Sequence, residues 1–252
     1  MELYKKTSKH SQYQKIPEIL ADHVDINAVS IHSRYEDERF AYVSSKMEFE
    51  ERTILDIGGN TGYFALRCAE DGAHCVDYYD ANMDHAEFVK RAAALTGYDE
   101  RIKIHPQCYD FIAPNKNRYD ICLLMNVLHH IGDDFDDRIL EVSSARECII
   151  DCLVSMSRIA DIMVFQMGFN LQGDIRKPLF TNGTKQEMID YVKDNCSECW
   201  DILFIGIAEK RKQVVRYYDL NDGNAVRDDS LGEFLNRPLF ILKSRHFNCD
   251  NF

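Results

Sequence analysis

The sequence predicts an α/β fold, a mostly parallel sheet with helices on both faces. Three observations carry that prediction. Short apolar runs alternate with amphipathic stretches from residue 53 onward. The run "YDICLLMNV" is apolar almost throughout, as a strand covered on both faces must be. The stretch "ILDIGGNTGYFALRCAEDGAHCVDYYD", residues 54–80, reads strand, glycine turn, helix, strand, which is the unit from which parallel sheets are built.

Residues 1–50 precede the first strand. There "IPEILADHV" has helical spacing behind Pro17, and "RYEDERFAYVSSKM" is a second helix, so this segment is expected to form an N-terminal helical cap. "TILDI" is the first strand, "GYFALRCAEDG" a helix ended by Gly72, and "HCVDYYD" the second strand. "MDHAEFVKRAAALTG" is a helix that stops at Gly97, and "RIKIHPQ" and "YDICLLMNV" are strands three and four. "RILEVSSARECIIDCLVSMSR" is a long helix before "DIMVFQMGF", the fifth strand. "TKQEMIDYVKDN" is a helix with Thr184 as its cap and Glu187 three residues on, followed by "WDILFIGIAEK", the sixth strand. In the tail "QVVRYYDL" and "PLFILKSR" are both strand-like, and one of them is expected to return antiparallel beside the sixth. The polar "NDGNAVRDDSLGEFLNR" between them reads as an excursion over the active site. The expected organisation is a cap over 1–50 and a single domain over 51–252, with the C-terminal excursion around 211–237.

Bulk composition narrows the partners. The chain has 252 residues, 45% hydrophobic and 11% aromatic, a globular composition with ample core. Its formal charge is -12, so it gains nothing by releasing counterions from a polyanion, and nucleic acid and anionic membrane surfaces are disfavoured. No apolar run approaches the ~20 residues that span a bilayer. "MELYKKTSKHSQYQ" lacks the apolar core of a secretion signal, and a cytoplasmic location is expected. The nine cysteines lie mostly inside strand-like or helix-like segments, the pattern of reduced, buried thiols. Cys196 and Cys199 form one C-x-x-C, and Cys148 and Cys152 share a helix face; ordinary burial is preferred there over a metal site.

Charge decides what the glycine turn holds. A dinucleotide site needs G-x-G-x-x-G. From Gly58 the required positions read Gly58, Asn60, Tyr63, and from Gly59 they read Gly59, Thr61, Phe64, so neither register fits. What is present is Asp56-x-Gly58-x-x-x-Gly62. A pyrophosphate at the end of the first strand would meet the Asp56 carboxylate, whereas a ligand with a cationic end would be attracted. S-adenosylmethionine (SAM) has such an end, an ammonium beside a sulfonium. Gly58, Gly59 and Gly62 let the backbone approach a ligand closely, and Asp80, ending the second strand, can accept both ribose hydroxyls. Plainer roles stay open: Asp56 as a helix cap and Asp80 as a turn acid.

"LDIGGNTGYF", then "DYYDANM", then "YDICLLMNVLHHI" resemble the successive motifs of class I SAM-dependent methyltransferases, over roughly residues 50–210. The resemblance implies a Rossmann-like, seven-stranded, mostly parallel sheet with an antiparallel C-terminal strand. It also implies that Asp56, Gly58, Gly59, Asn60, Thr61, Gly62 and Tyr63 cradle the methionine part of SAM, with Asp80 on the ribose. Ala81 and Asn82 would flank the adenosine, Tyr109 and Asp110 would meet the adenine side, and Asn126 and Val127 would lie beside the sulfonium. Asp110 reads equally as a loop residue, because "CYDF" matches the family loosely.

Methyl transfer from a sulfonium is an in-line displacement, so the protein must align the acceptor and, for an alcohol, remove a proton. His129 and His130, after strand four, are the candidate bases, with His129 preferred and His130 expected to pack inward. A structural role for either stays open. "DDFDD", 133–137, could hold Mg²⁺ but reads better as acids opening a helix. Tyr13, Gln14 and Arg34 are candidates to fold over SAM, Arg34 by pairing with its carboxylate or else as a solvated helix charge. Gln166 and Arg237 are further pocket candidates. The expected function is transfer of a methyl group from SAM to a small-molecule acceptor, an O-methylation of a sugar, a phosphorylated sugar or a related metabolite. The competing readings are a SAM-binding subunit that has lost catalysis and a nicotinamide-dependent oxidoreductase. The oligomeric state is not legible.

Overall fold

Strands with apolar side chains on both faces must lie inside a sheet, and the computed structural model places them there. It describes residues 2–5, 14–25, 33–114, 117–133 and 141–247. The chain divides into two compact units, Met1–Tyr109 and Asp110–Phe252. The architecture is α/β and Rossmann-like, with eight strands among the described residues where seven were expected.

In the first unit β1 (Thr53–Ile57), β2 (Cys75–Tyr79) and β3 (Ile102–His105) lie in the order β3-β2-β1, all parallel. The helices are α1 (Glu2–Lys5), α2 (Glu36–Ser44), α3 (Tyr63–Glu70) and α4 (Met83–Thr96). Asn82 caps α4 by accepting from the N–H groups of Asp84 and His85, and Gly97 ends it in the left-handed region. The helix expected over "IPEILADHV" is a single 3-10 turn, Glu18–Leu20. Ile16 and Leu20 are already buried there while residues 21–23 are exposed, so a longer helix would bury nothing more. α2 starts only at Glu36, because Tyr35 before it takes a φ of +59°. Phe40 of α2 stacks on Phe49 with centroids 5.3 Å apart, and Arg67 of α3 lies over the Phe40 ring at 4.7 Å. Asp37 accepts from the Tyr63 hydroxyl and from Lys15 Nζ, tying α2 to α3.

In the second unit β4 (Tyr119–Met125), β5 (Ala160–Gln166), β6 (Trp200–Arg211), β7 (Val214–Asp219) and β8 (Leu239–Ser244) lie in the order β4-β5-β8-β6-β7. β4 and β5 are parallel, and every other pairing is antiparallel. Both tail strands therefore flank β6, not one as expected. Burial explains which goes where: Leu239, Phe240, Ile241 and Leu242 are all buried, which suits β8 between two neighbours, whereas β7 alternates buried and open and takes the edge. The helices are α5 (Val142–Met156), α6 (Lys185–Cys196) and α7 (Gly232–Leu235). The Thr184–Glu187 capping box read from the sequence opens α6.

Lys185, the first residue of α6, is only 2% exposed. Its Nζ donates to the carbonyls of Asn224 (3.0 Å) and Val226 (2.9 Å), so a buried ammonium clamps the segment leading to α7. Burial holds its pKa below the usual lysine range. Removing the donor strands two carbonyls, so Lys185→Met is expected to lower stability by about 1–3 kcal/mol, read as a shifted urea midpoint with an unchanged slope.

Candidate active site

β1 ends beneath a loop that only small residues can form. After Ile57, the N–H groups of Gly58 and Gly59 both bond to the Tyr79 carbonyl, at 2.8 and 3.1 Å, extending the contact with β2. A Cβ on Gly59 would sit 2.4 Å from Tyr78 Cε2 and 2.7 Å from Asp56 Oδ2, so no side chain fits. Gly62 opens α3 with φ +76°, and a Cβ there would meet Val89 Cγ2 at 2.6 Å. Asn60, with φ +52°, accepts the Thr61 N–H on its own side chain at 2.8 Å.

Two acids hold this loop. Asp56 is 3% exposed and lies under Gly59. It accepts from the Ala65 N–H in the first turn of α3, and its Oδ2 has no hydrogen-bond partner among the described residues. Burial first, and then the charge of Asp80, raises its pKa to about 7. The capping role and an unspent buried acceptor thus coexist in one side chain. Asp80 accepts from the Asn60 N–H with one oxygen and from the Asn82 N–H with the other, both at 2.8 Å. His85 Nδ1 lies 3.4 Å from the second of these. Tyr78 donates its hydroxyl to the Asn60 carbonyl, so Asn60 is gripped at both ends of its peptide.

The other first-unit candidates take varied places. The Asn82 side chain serves as the α4 cap, and Ala81 is exposed. Tyr109 is buried, edge-on to Tyr79 with centroids 5.1 Å apart. Gln14 reaches the loop: its Oε1 accepts from the Tyr63 N–H at 3.1 Å and the Thr61 hydroxyl at 3.4 Å. Tyr13 lies outside the described residues. Arg34 is exposed at the start of α2, its backbone N–H bonded to Glu36 at 2.9 Å.

The second unit gathers a polar network at the ends of β4 and β5. Asn126 has φ +63° and sends its side-chain N–H to Gln166 Oε1 at 3.0 Å. Its Oδ1 accepts from Arg237 Nη1 at 2.7 Å, and Gln166 Nε2 donates to the Arg237 carbonyl at 3.1 Å. Arg237 Nε bonds to Glu233, whose Oε1 also takes the Phe169 N–H, both at 3.1 Å. Gln166 and Arg237, weak pocket candidates in the sequence, are therefore partners of Asn126. Glu233 went unread, although its i, i+4 spacing to Arg237 on "EFLNR" was the signal for it. Val127 is half-buried. Asp110 closes a turn, one oxygen accepting from the N–H groups of Ile112 and Ala113 at 2.9 Å.

The two histidines exchange the places expected of them. His129 is the buried one, 2% exposed, and the Cβ position of Gly168 lies 2.8 Å from its Nε2 and 3.1 Å from Arg237 Nη2. His130, half-buried, has its ring centroid 4.3 Å from that of His129. The short 3-10 turn Leu128–His130 turns its second residue inward, so the order of burial follows the turn and not the chain order. Of "DDFDD" only Asp133 is among the described residues, and among those no three His, Cys, Asp or Glu side chains converge as a metal site.

The buried carboxyl of Asp56 has a pH-dependent effect on stability. Its folded pKa stands above the unfolded value of 3.8, so the folded state holds its proton more tightly. Its contribution is present at low pH and is lost as pH rises from the usual carboxyl range through about 7. In the ligand-free protein Asp56→Asn, which keeps the shape without the charge, should gain in stability relative to wild type across that window, by a few kcal/mol at most, seen as a rise in Tm. Melts at a series of pH values check it; a difference that does not change with pH would place Asp56 in a solvated setting.

Residues 31–141 match the family model of a methyltransferase domain. No curated protein matches. Among solved structures, a protein from Listeria monocytogenes assigned to the SAM-dependent methyltransferases is 14% identical with a TM-score of 0.56, covering 83% of this chain and 98% of its own. A protein from Streptococcus thermophilus assigned as a hemolysin is 14% identical with a TM-score of 0.52, covering 84% of this chain and 66% of its own. A protein from Pyrococcus horikoshii assigned as an RNA methyltransferase is 11% identical with a TM-score of 0.49, covering 96% of this chain and 94% of its own. The methyltransferase-domain match over residues 31–141 and the shared fold together support a class I SAM-dependent methyltransferase, with SAM as the methyl donor.

Proposed function

We propose that the protein methylates a hydroxyl oxygen of a small molecule, a sugar, a phosphorylated sugar or a related metabolite. The observation that carries the donor side is the buried, unpartnered Asp56 Oδ2 under Gly59. It is an acceptor suited to the ammonium of SAM, and an approaching cation would favour its ionised form. Gly59 and Gly62 keep Cβ atoms out of the loop, Gln14 steadies it, and Asp80 would meet the ribose. Ala81, Asn82, Tyr109 and Asp110 remain the adenosine-side candidates. SAM supplies a methyl group already activated by its sulfonium.

On the acceptor side, Asn126 and Val127 end β4, and the turn Leu128–His130 follows. A general base has to be reached by the proton it removes. His130 is the more open of the pair and is the better candidate, while His129, packed against Gly168, would hold the turn. A net charge of -12 supports a small acceptor over a nucleic acid, and no helix among the described residues is long and apolar enough to cross a membrane.

Calorimetry with SAM and its demethylated product, with NAD as control, tests the donor site. Wild type should bind both sulfur ligands and not NAD. Asp80→Ala should weaken them at least about tenfold, the worth of one charge-assisted hydrogen bond. Folded protein that binds neither sulfur ligand would end the reading. Product analysis with labelled SAM and a panel of sugars, sugar phosphates, amines and phenols then reads the acceptor. Methyl label on an amine and on no hydroxyl would overturn the O-methyl assignment.

A further inference from the structure

The second unit carries a cleft of about 340 Å³ whose walls include Phe169, Asn170, Thr181, Asn182, Arg227 and Glu233. That volume is at the small end of ligand pockets, roughly 300–1,000 Å³, and suits one ring-sized molecule. Phe169 is 3% exposed and its ring is already covered by the Arg227 guanidinium at 5.5 Å. Phe180, the other aromatic residue of the wall, is likewise 3% exposed, so what faces the cleft is mainly hydrogen-bonding.

Its charges are already matched. Arg227 Nε pairs with Asp229 at 2.7 Å and Nη1 donates to the Gly183 carbonyl. Glu233 is held by Arg237 and by the Phe169 N–H. An anionic occupant would need a cation that is not already neutralised, or would have to displace a carboxylate. A neutral polyol needs neither. It can accept from the guanidinium edge, donate to the outer lone pairs of Glu233, and bond to the Thr181 hydroxyl and the Asn170 amide, neither of which has a side-chain partner among the described residues.

The cleft is also wired to the end of β4. Glu233 on its wall grips Arg237, which holds Asn126 Oδ1 at 2.7 Å. Phe169 on its wall follows Gly168, the residue seated against His129. An occupant that touches Glu233 therefore lies two hydrogen-bonded steps from Asn126.

We propose that this cleft seats the non-reacting part of the methyl acceptor and selects a neutral, polyhydroxylated ring, a glycoside, over a phosphate ester or carboxylate. The inference rests on the methyltransferase reading and narrows it.

The test is saturation-transfer NMR on the full chain with the demethylated product of SAM bound. The probes are a panel of methyl hexopyranosides, with hexose phosphates as the contrast. At least one neutral pyranoside should receive saturation, and the hexose phosphates should receive less. The double variant Asn170→Leu, Thr181→Val alters only the rim. It should weaken the signal by roughly tenfold, the worth of one or two hydrogen bonds, while calorimetric binding of the sulfur ligand and the melting temperature stay as in wild type. Transfer to hexose phosphates alone would overturn the charge argument. Pyranoside transfer unaffected by the double variant would place the ring elsewhere. No transfer to any pyranoside, with the sulfur ligand bound, would overturn the subsite and leave the methyltransferase reading intact. Wild type that fails to bind the sulfur ligand would instead sink the reading on which the subsite rests.

Discussion

Two carboxylates close enough to feel each other's charge, one of them buried, have to be compensated or one of them must stay protonated. Asp56 and Asp80 are such a pair, and the first unit is arranged around them. Asp80 is compensated by backbone: two N–H groups, one from the glycine loop and one from the start of α4, converge on its oxygens. Asp56 is compensated on one side only, by the first turn of α3. The glycine loop cannot move away from this arrangement, because Gly59 rests on Asp56 and Tyr78, and the Asn60 carbonyl is held by the Tyr78 hydroxyl. The unsatisfied half of Asp56 is the part of this pair that the loop and α3 leave uncompensated.

The second unit solves a different problem. β4 and β5 end in polar residues that are partly or wholly buried, and each must find partners inside the protein. They find them in one another and in Arg237, brought in by the segment before β8. That segment is itself held by the buried ammonium of Lys185 and by Arg227. The excursion between β7 and β8 thus contributes an arginine that completes the polar ends of two central strands. Its charges are neutralised internally by Asp229 and Glu233, leaving hydrogen-bonding capacity without net charge on the cleft wall.

Much of this was legible locally. Apolar runs and amphipathic spacing set the strand and helix order, the Thr184–Glu187 box set the start of α6, and the Asp56 and glycine pattern excluded a dinucleotide fingerprint. Asp56 was legible as a cap, and the structure shows that cap on α3 beside a buried carboxylate oxygen with no partner among the described residues. The histidines were legible as a pair but not as individuals, since a 3-10 turn decides which ring faces inward, and its exit angle depends on what packs against it.

The sequence by itself determined the kinds of elements, their order, and the acids and glycines of the loop after β1. These depend on interactions that act within a few residues: periodicity, capping and the steric freedom of glycine. Only the tertiary structure decided that Gln14 would rest on the loop 49 residues away and that Arg237 would bond to Asn126 across 111 residues. It also decided that β8 would enter between β5 and β6, and that Lys185 would be buried beneath the excursion. Such contacts follow from which buried surfaces meet and which stranded polar groups must then be satisfied. That choice is made by the packing of the whole unit and leaves no periodic trace along the chain.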